Sequence, residues 1–435
     1  MPIPSSTRQR MPLPSLPKHV LGLRCLVCGE LHAPDDLAYV CPKHGNEGVL
    51  DVVYDYDYMR ERIRHDLAST AESGMWRFKS LLPLPATASL PALQVGSTPL
   101  YRAQRLARDL QLGELWIKDE GRQPTGSLKD RASALAVAMA RTAGIQTIAT
   151  ASTGNAAAAL AGMCAASDAK PVIFVPATVL PAKVAQLLVY GAKVVLVEGS
   201  YDEAFELCLS ASAHFGWYNR STGYNPFMTE GKKTVVYEIV EQLANENEAI
   251  DAVIVSAGDG CILGAVHKGF RDMQALGWIH RIPRLIGVQA EGSDYLYRVW
   301  KDDGDVVTAP PIRTSGIADS LMAGLPRDRI KAMSAVRSTE GAFIRVSDEE
   351  ILAAIPGLAR GSGVFAEPAA AAAYAGLLRA LDEGLIHRGE RVAIISTGTG
   401  LKDFASAIKS VAHESSSVIQ CIPTLESLQQ AWSQP

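Results

Sequence analysis

The sequence predicts an α/β protein built on parallel sheets, because short apolar runs alternate with longer helical stretches between residues 93 and 410. Seven runs have the length and the β-branched content of strands: ELWIKDE, TIATAS, PVIFVPA, KVVLVEG, DAVIVSAG, RLIGVQAEG and VAIISTG. Amphipathic or alanine-rich helices lie between them, for example SLKDRASALAVAMARTAG and AAAALAGMCAAS. Repetition of strand and helix places helices on both faces of a parallel sheet.

The N-terminal part of the chain carries a cluster of soft metal ligands. Cys25 and Cys28 form a C-x2-C pair, and Cys41 and His44 form a C-x2-H pair after 12 intervening residues. A glycine follows each pair and relieves the tight turn that aims both ligands at one point. Two such turns supply the four ligands of a structural Zn²⁺ site, so the spacing predicts a zinc-ribbon-like module over residues 21–50. The alternative is a small β-hairpin module that has lost its metal and whose cysteines fill the core.

Composition and charge exclude several classes of protein. The 435 residues include 42 Lys and Arg against 46 Asp and Glu, a formal net charge of −4. A chain of this balance does not hold nucleic acid or anionic lipid by bulk charge. The hydrophobic fraction of 48% is that of a folded core. The seven cysteines are an odd number scattered through a large chain, which indicates a reducing compartment rather than a disulfide framework.

The N-terminus and the apolar runs predict a cytoplasmic protein. The first 20 residues, MPIPSSTRQRMPLPSLPKHV, contain no continuous apolar stretch that could serve as a secretory core, and prolines interrupt any helix there. The longest apolar runs, such as ASALAVAMA, are far shorter than the roughly 18 residues that a membrane-spanning helix needs. We therefore expect no membrane association, and we interpret residues 1–20 as a flexible lead.

Ligands of parallel sheets collect in the loops that follow the strands, and the first such loop leads to Lys129. Residues 118–131 read KDEGRQPTGSLKDR, so that a glycine and small hydroxyl residues precede a helix with Lys129 in its first turn. The positive end of the helix dipole favours a neutral amine there. A lysine with a lowered pKa can form a Schiff base. The alternative is a solvated lysine, as most lysines early in a helix are.

Two further loops place hydroxyl residues directly after a strand. Ser152, Thr153, Gly154 and Asn155 open an alanine-rich helix, where hydroxyls and free N–H groups make a carboxylate cradle. The Asn155 amide could also hold a phenolate oxygen, although an ordinary N-cap would use the same residue types. Thr397 lies in the loop STGTGLK after the last strand. Its hydroxyl could meet a ring nitrogen, or it could simply shape a turn.

A glycine-rich loop follows the strand DAVIVSA. The closely spaced glycines of residues 256–264, SAGDGCILG, allow the backbone to wrap a phosphate against the start of the next helix. The loop is neither a G-x-x-x-x-G-K-[ST] phosphate loop nor a G-x-G-x-x-G dinucleotide motif. It therefore predicts phosphate binding, with poor support for ATP or NAD.

The motifs PTGSLKDR, STGN, VQAEGS, AEPAAAAAYAG and STGTGLKD, together with the glycine loop, resemble in order and spacing those of threonine synthase and its relatives. These are the fold type II pyridoxal-phosphate enzymes of the tryptophan synthase β superfamily. The resemblance covers about residues 93–410, including VGSTPL and KVAQLLVYGAKVVLVEG. It implies two parallel-sheet α/β domains and a homodimer. A cysteine module also precedes the catalytic body in some threonine-synthase-like proteins.

The resemblance implies roles for individual residues. Lys129 matches the lysine that bonds to pyridoxal phosphate and moves protons at the substrate's α and β carbons, and Asn155 matches the asparagine at the cofactor ring oxygen. Thr397 matches the hydroxyl residue at the pyridine nitrogen, which suits elimination and replacement at Cβ or Cγ more than transamination. The loop for the substrate carboxylate corresponds to Ser152, Thr153 and Gly154. The cup for the cofactor phosphate corresponds to Gly258, Asp259, Gly260, Cys261 and Ile262.

The chain departs from the threonine synthase pattern where the substrate would lie. An arginine-bearing segment, A-T-A-I-R-I-G-N-P, is replaced by RTSGIADS, in which Arg313 is displaced and GIADS looks more like the serine and threonine dehydratase branch. Lys183 and Ser127 remain as possible partners of a substrate phosphate. The expected reaction converts O-phosphohomoserine and water to threonine and phosphate. The alternative is β-elimination or β-replacement on serine, threonine, diaminopropionate or phosphoserine, as in a dehydratase, an ammonia-lyase or a cysteate synthase.

These inferences divide the chain into five segments. The chain begins with a lead (1–20), the zinc-ribbon-like module (21–50) and a helical connector (51–92). A catalytic body (93–410) and a tail (411–435) follow, and a smaller mobile domain is nested in the body at about 135–230.

A hypothesis of another class is a non-catalytic relic whose zinc ribbon binds nucleic acid. The retention of Lys129 among intact cofactor loops and the few cations of residues 21–50 count against it.

Overall fold

Three separate sheets organise the fold in the computed structural model, which describes residues 13–33, 39–61, 70–179, 181–244, 249–412 and 418–432. Two sheets are wholly or mainly parallel, and the third is a small antiparallel sheet near the N-terminus. The predicted α/β class is confirmed. Part of the expected lead (1–12) and parts of the expected tail (413–417 and 433–435) lie outside the described residues.

The small antiparallel sheet contains strands β1 (Val20–Cys25), β2 (Leu31–His32) and β3 (Leu50–Tyr54) in the order β2-β1-β3. In β3 every second residue is buried, and the strand pairs with β1 from Leu50 to Tyr54. The sheet therefore extends past residue 50, where a helical connector was expected to begin. The β-branched and aromatic residues of LDVVY favour a strand over a helix, and the alternating burial is that of a strand with one buried face. Later in the same segment the chain forms a 3₁₀ helix, Gly74–Leu81.

The two larger sheets lie in the segment where the strand pattern was predicted. Their strands are β4 (Leu100–Arg102), β5 (Glu114–Asp119), β6 (Thr147–Ala151), β7 (Lys170–Pro176), β8 (Lys193–Val197), β9 (Tyr218–Asn219), β10 (Ala252–Ser256), β11 (Arg284–Ala290), β12 (Ala342–Val346) and β13 (Arg391–Ser396). One sheet has the order β12-β11-β10-β13-β5-β4, with only β4 antiparallel to its neighbour, and the other is wholly parallel in the order β8-β7-β6-β9. All seven predicted runs are strands. Sequence reasoning did not identify β12 or the short β4 and β9.

Helices cover the faces of the parallel sheets. Those with described bounds are α1 (Gln104–Asp109), α2 (Lys129–Thr142), α3 (Asn155–Ala165), α4 (Pro181–Val189), α5 (Tyr201–Phe215), α6 (Phe227–Lys232), α7 (Thr234–Leu243), α8 (Cys261–Ala275), α9 (Tyr295–Lys301), α10 (Arg329–Ser338), α11 (Asp348–Ser362), α12 (Pro368–Asp382), α13 (Phe404–Ser410) and α14 (Leu425–Trp432). In the part of the chain that the structure describes, no helix combines the length and the apolar character needed to cross a membrane.

Small side chains allow the helices to lie close to the sheets. The alanine-rich helices α3 and α12 are buried along most of their length. A Cβ atom on Gly376 of α12 would lie only 2.3 Å from Cγ2 of Val288 in β11. Because no larger residue fits this contact, the alanine and glycine content of α12 sets how closely it packs over the large sheet.

A buried network of charges joins the large sheet to the helices beside it. The Arg131 guanidinium on α2 lies 2.7 Å from the Glu120 carboxylate and 2.8 Å from that of Glu238 on α7, and the Lys118 ammonium of β5 lies 2.8 Å from Glu238. The Thr98 hydroxyl donates to Glu120 at 2.6 Å. Burial alone would raise the pKa of Glu238, but the positive charges of Arg131 and Lys118 outweigh it and lower that pKa to about 2. The network therefore stays ionised.

We expect Arg131→Leu to destabilise the protein strongly, because it leaves two buried carboxylates without their guanidinium. Breaking a buried ion pair in this way costs about 3–5 kcal/mol, which urea unfolding followed by circular dichroism can measure. The control is Arg105→Leu, which removes an exposed partner of Asp109 and should change the unfolding midpoint little. Equal effects of the two substitutions would contradict the stabilising role of the network.

Candidate active site

A pocket lies at the carboxyl ends of strands of the large sheet. The loops after β10 and β13 and the first turns of α2, α3 and α8 surround it. All eight residues that were predicted to bind the cofactor line this pocket: Lys129, Asn155, Gly258, Asp259, Gly260, Cys261, Ile262 and Thr397. The structure thus brings together residues from four separate loops. Their individual roles remain predictions.

Lys129 is the first residue of α2, and its amine lies in a positively charged surrounding. Burial lowers the pKa of Lys129, the nearby charges of Lys232 and Arg220 lower it further, and it reaches about 8. The helix dipole that the sequence suggested acts in the same direction. A large fraction of Lys129 is therefore neutral near pH 8, which is the form that attacks a carbonyl carbon.

The glycine loop between β10 and α8 has the shape of an anion cup. Gly260, the N-cap of α8, has a left-handed backbone with φ of 88°. A Cβ atom on Gly258 would lie 2.7 Å from Cα of Leu321, so this position also excludes larger residues. Among the described residues, none accepts a hydrogen bond from the backbone N–H groups of residues 258–262. Free N–H groups at a helix N-terminus are suited to a phosphate group.

Buried cations lie behind this loop, and sequence reasoning missed them. The Lys232 ammonium is 2.7 Å from the Cys261 Sγ, and both side chains are buried. The Arg220 side chain is also buried, and its Nη2 atom has no hydrogen-bond partner among the described residues. Burial lowers the pKa of Arg220 to about 10, which shows how poorly its charge is compensated. A dianionic phosphate in the cup would supply the missing negative charge, so these residues fit the phosphate of pyridoxal phosphate.

The Asn155 side chain is oriented by two charged neighbours. Lys402 donates to Asn155 Oδ1 at 2.8 Å, and Asn155 Nδ2 donates to the Glu367 carboxylate at 2.7 Å. Burial raises the pKa of Glu367 and lowers that of Lys402. Lys402 holds the Asn155 oxygen, and the Nδ2 group lies among the pocket residues Glu367 and Ser320, so a phenolate oxygen in the pocket would compete with Glu367 for an Asn155 N–H. The sequence did not assign a role to Lys402.

The loop predicted to take the substrate carboxylate lies beside the pocket, next to Asn155, although Ser152, Thr153 and Gly154 do not themselves line it. The Ser152 hydroxyl accepts from the Gly154 N–H at 3.2 Å, and the nearest atom to a Cβ on Gly154 would be the Ser320 hydroxyl, at 3.9 Å. Thr153 lies between them and is half-buried. Ser320 itself lines the pocket, 3.4 Å from Asn155 Nδ2. This loop and the segment around Ser320 therefore face each other where a substrate would enter.

The residues predicted to meet a substrate phosphate are arranged less favourably. The Lys183 ammonium forms an ion pair with the Asp319 carboxylate and does not line the pocket. Ser127 is buried, and its hydroxyl has no partner among the described residues. Arg313 is exposed and also lies outside the pocket lining. The structure thus separates Lys183 and Arg313 from the residues around Lys129.

The cysteine module brings its four predicted ligands together. The ligand atoms of Cys25, Cys28, Cys41 and His44 all lie within 4.8 Å of one another. The Cys25 Sγ is 3.8 Å from His44 Nδ1, close to the edge of about 3.6 Å expected for a tetrahedron with bonds of about 2.3 Å to sulfur and about 2.0 Å to nitrogen. Glu30 also lies near Cys41, but its carboxylate is 3.0 Å from the Lys43 ammonium.

A pocket that combines a partly neutral lysine with a phosphate cup, on a parallel α/β scaffold, defines a class of enzymes that bind pyridoxal phosphate. Residues 92–398 match the sequence profile of the family described as "Pyridoxal-phosphate dependent enzyme", and the chain belongs to this family. The protein is accordingly a pyridoxal-phosphate-dependent lyase, as the sequence resemblance implied.

Comparisons with individual proteins agree with this assignment. The chain is 36% identical to the threonine synthase of Methanocaldococcus jannaschii over 400 residues, which cover 92% of this chain and 96% of that protein. It is 38% identical to the threonine synthase of Methanosarcina acetivorans over 385 residues, 88% of this chain and 92% of that one. The fold resembles the processed form of threonine deaminase isoform 2 from Solanum lycopersicum, with a TM-score of 0.62 and 20% identity over 82% of this chain and 88% of that one.

We expect Lys129→Ala to abolish covalent attachment of pyridoxal phosphate. The parent protein should show an absorbance band at ~410–420 nm, roughly where bound pyridoxal groups absorb, and the variant should lack it. The control is Lys170→Ala, which removes an exposed lysine at the start of β7. A band of undiminished strength in Lys129→Ala would exclude Lys129 as the attachment site.

The rate of this attachment should depend on pH in a way set by Lys129. The reacting amine must be neutral, so the rate should rise with pH and level off above the lowered pKa of about 8. The test is to add pyridoxal phosphate to cofactor-free protein at a series of pH values and to follow the absorbance band in stopped flow. A rate that continues to rise to the ordinary lysine pKa of about 10.4 would contradict the lowered value.

Proposed function

We propose that this protein is a lyase of the threonine synthase type, which converts O-phosphohomoserine and water to threonine and phosphate. The observation that carries the proposal is the similarity to the two threonine synthases named above, which extends over nearly the whole of each chain. The cofactor pocket supports the same reaction class, because it contains a lysine of lowered pKa and lies next to the hydroxyl-bearing loop of residues 152–154.

Bound pyridoxal phosphate supplies an electron sink that stabilises negative charge on the carbon next to the substrate amino group. In the proposed reaction Lys129 would hold the cofactor, and its amine would move protons: it would take one from the substrate's α carbon and deliver protons further along the substrate's chain. A pKa of about 8 suits both directions of transfer, because neither the neutral nor the charged amine is then rare near neutral pH.

The remaining residues bind and orient. Asn155, held by Lys402, directs its amide N–H toward the cofactor's ring oxygen, and the N–H groups of residues 258–262 bind its phosphate. Thr397 offers a neutral hydroxyl to the ring nitrogen, which favours elimination and replacement over transamination. The hydroxyls of Ser152 and Thr153 and the N–H of Thr153 would bind the substrate carboxylate.

A second candidate is β-elimination or β-replacement on an amino acid such as serine, threonine, diaminopropionate or phosphoserine. The observation in its favour is the composition of the substrate side of the pocket. Ser320 of the dehydratase-like segment lines the pocket, whereas Arg313 is exposed and Lys183 is already paired with Asp319. A substrate with a small neutral leaving group needs no additional cation there.

Incubation of the protein with O-phosphohomoserine should yield threonine and inorganic phosphate in equal amounts. Serine, threonine, diaminopropionate and phosphoserine should be tested in parallel for release of ammonia, keto acid and phosphate. The control is the Lys129→Ala protein at the same concentration, which should give no product. Absence of threonine at saturating O-phosphohomoserine would exclude the synthase reaction, and keto acid from serine or threonine would favour the second candidate.

We also propose that the cysteine module binds one structural zinc ion through Cys25, Cys28, Cys41 and His44. The spacing of the four ligand atoms supports this, since it matches a tetrahedral site. Four protein ligands leave no open position for a substrate, so the ion would act only on stability.

Elemental analysis should find one zinc per chain in the parent protein and much less in Cys28→Ser. We expect this variant to melt at a lower temperature, because metal binding contributes to the folding free energy of such modules. The control is Cys421→Ser, which replaces another exposed cysteine far along the chain. Equal zinc content in the two variants would contradict the proposed ligand set.

A further inference from the structure

We propose that the N-terminal module holds the cofactor phosphate cup in shape, with Glu47 and Asp51 as positioning residues that act through the start of α10. The inference rests on the assignment of residues 258–262 as the phosphate cup. It adds a role for the module other than metal binding, and it makes affinity for pyridoxal phosphate depend on two carboxylates that lie outside the pocket.

Two carboxylates of the module contact cations of the body. Glu47, in the turn after His44, forms an ion pair with Arg329 at the first turn of α10. Asp51, in β3, lies 2.9 Å from the Lys268 ammonium of α8 and 4.0 Å from that of Lys331 of α10. The two helices that flank the cup are therefore both attached to the module.

The start of α10 in turn forms the outer wall of the cup. The N–H of Asp328 donates to the Asp259 carbonyl at 3.0 Å, and the N–H of Arg327 donates to the Asp259 carboxylate at 2.8 Å. A Cβ atom on Gly260 would lie 3.0 Å from the Asp328 carbonyl oxygen. The loop residues that bear the free N–H groups are thus fixed by direct contact with the residues just before α10.

Lys331 connects the two sides of this arrangement. Its ammonium lies 3.3 Å from the Asp328 carboxylate and donates to the Thr229 hydroxyl at 2.9 Å, and Thr229 is 3.9 Å from the Cys261 Sγ. Burial by itself would lower the pKa of Lys331, but the negative charges of Asp328 and Asp51 raise it above its usual value. Lys331 is therefore charged and held between the module and the cup.

Loss of the contacts that Glu47 and Asp51 make with α10 should change the shape of the phosphate cup, in addition to any effect on overall stability. Burial and the negative charge of Asp328 raise the pKa of Asp259, so these two carboxylates repel each other unless Lys331 and the backbone hydrogen bonds hold them in place. If Asp51 no longer attracts Lys331 and Glu47 no longer attracts Arg329, the wall formed by Arg327 and Asp328 can move. The N–H groups of the loop then lose their common direction, and phosphate binding weakens.

The test is to dialyse the holoenzyme forms of Glu47→Gln and Asp51→Asn to equilibrium against a series of pyridoxal phosphate concentrations. We expect the dissociation constant to rise about tenfold for each variant, which corresponds to ~1.4 kcal/mol of binding free energy. At saturating cofactor the turnover number should be close to that of the parent. Asp51→Glu should recover part of the affinity, because it restores the negative charge.

The matched control is Asn46→Ala, in the same turn of the module as Glu47. Asn46 donates to Glu206 of α5 at 3.3 Å and does not contact α10 among the described residues, so its removal should leave cofactor affinity unchanged. Lower melting temperatures with an unchanged dissociation constant in Glu47→Gln and Asp51→Asn would overturn the proposal, as would an equal loss of affinity in Asn46→Ala. Since cofactor binding is measured without substrate, failure of the proposed reaction would not affect this result.

Discussion

The requirement that buried charges be paired determines where the reactive lysine lies. Arg131 is fully buried, and it can remain charged only because Glu120 and Glu238 accept its guanidinium. It comes two residues after Lys129, so the contacts that satisfy Arg131 also fix the first turn of α2 against β5 and α7. The lysine is thereby held at the edge of the sheet, and its own amine has no carboxylate ion-pair partner among the residues that the structure describes. Arg131 is thus fully paired, whereas Lys129, two positions earlier, is buried beside the positive charges of Lys232 and Arg220. Burial and these charges lower the pKa of Lys129.

A second set of buried charges links the cofactor pocket to the N-terminal module. It includes two consecutive lysines, Lys232 at the end of α6 and Lys233 just before α7. The Lys232 ammonium points to Cys261 in the cup, whereas the Lys233 ammonium lies 2.6 Å from Glu230 and 2.7 Å from Asp272. Tyr54, at the end of β3, donates to the same Glu230. One short stretch of chain thus contributes a cation to the cofactor pocket and anchors the antiparallel sheet. The N-terminal module is consequently bound to the same group of buried charges that adjoins the cofactor pocket.

The sequence predicted those features that depend on neighbouring residues, and missed those that depend on pairing across the chain. All seven predicted strands were correct, since β-branched runs bounded by glycines are local signals. Three of the four loops meet in one pocket because β5, β10 and β13 are parallel and end at the same edge of the large sheet. The fourth loop, with Asn155, follows β6 of the other sheet, so its place in the pocket depends on how the two sheets pack. The roles of Lys232 and Lys402 could not be foreseen, because each is defined by a partner more than 25 positions away. The role of Arg220 is defined by an Nη2 atom that has no hydrogen-bond partner among the described residues. The same reason explains why Lys183 was expected to be available, although Asp319 lies against it.

The ion pair between Lys183 and Asp319 also separates the two candidate reactions in physical terms. A substrate phosphate would bring about two negative charges, and the Asp319 carboxylate, next to the pocket residue Ser320, would repel it unless Lys183 changed partner. Because both side chains are partly exposed, solvent screening makes such an exchange inexpensive. A substrate with a neutral leaving group would leave this ion pair intact. Under the proposed function, selectivity between phosphorylated and neutral amino acids would therefore depend in part on how easily Lys183 leaves Asp319.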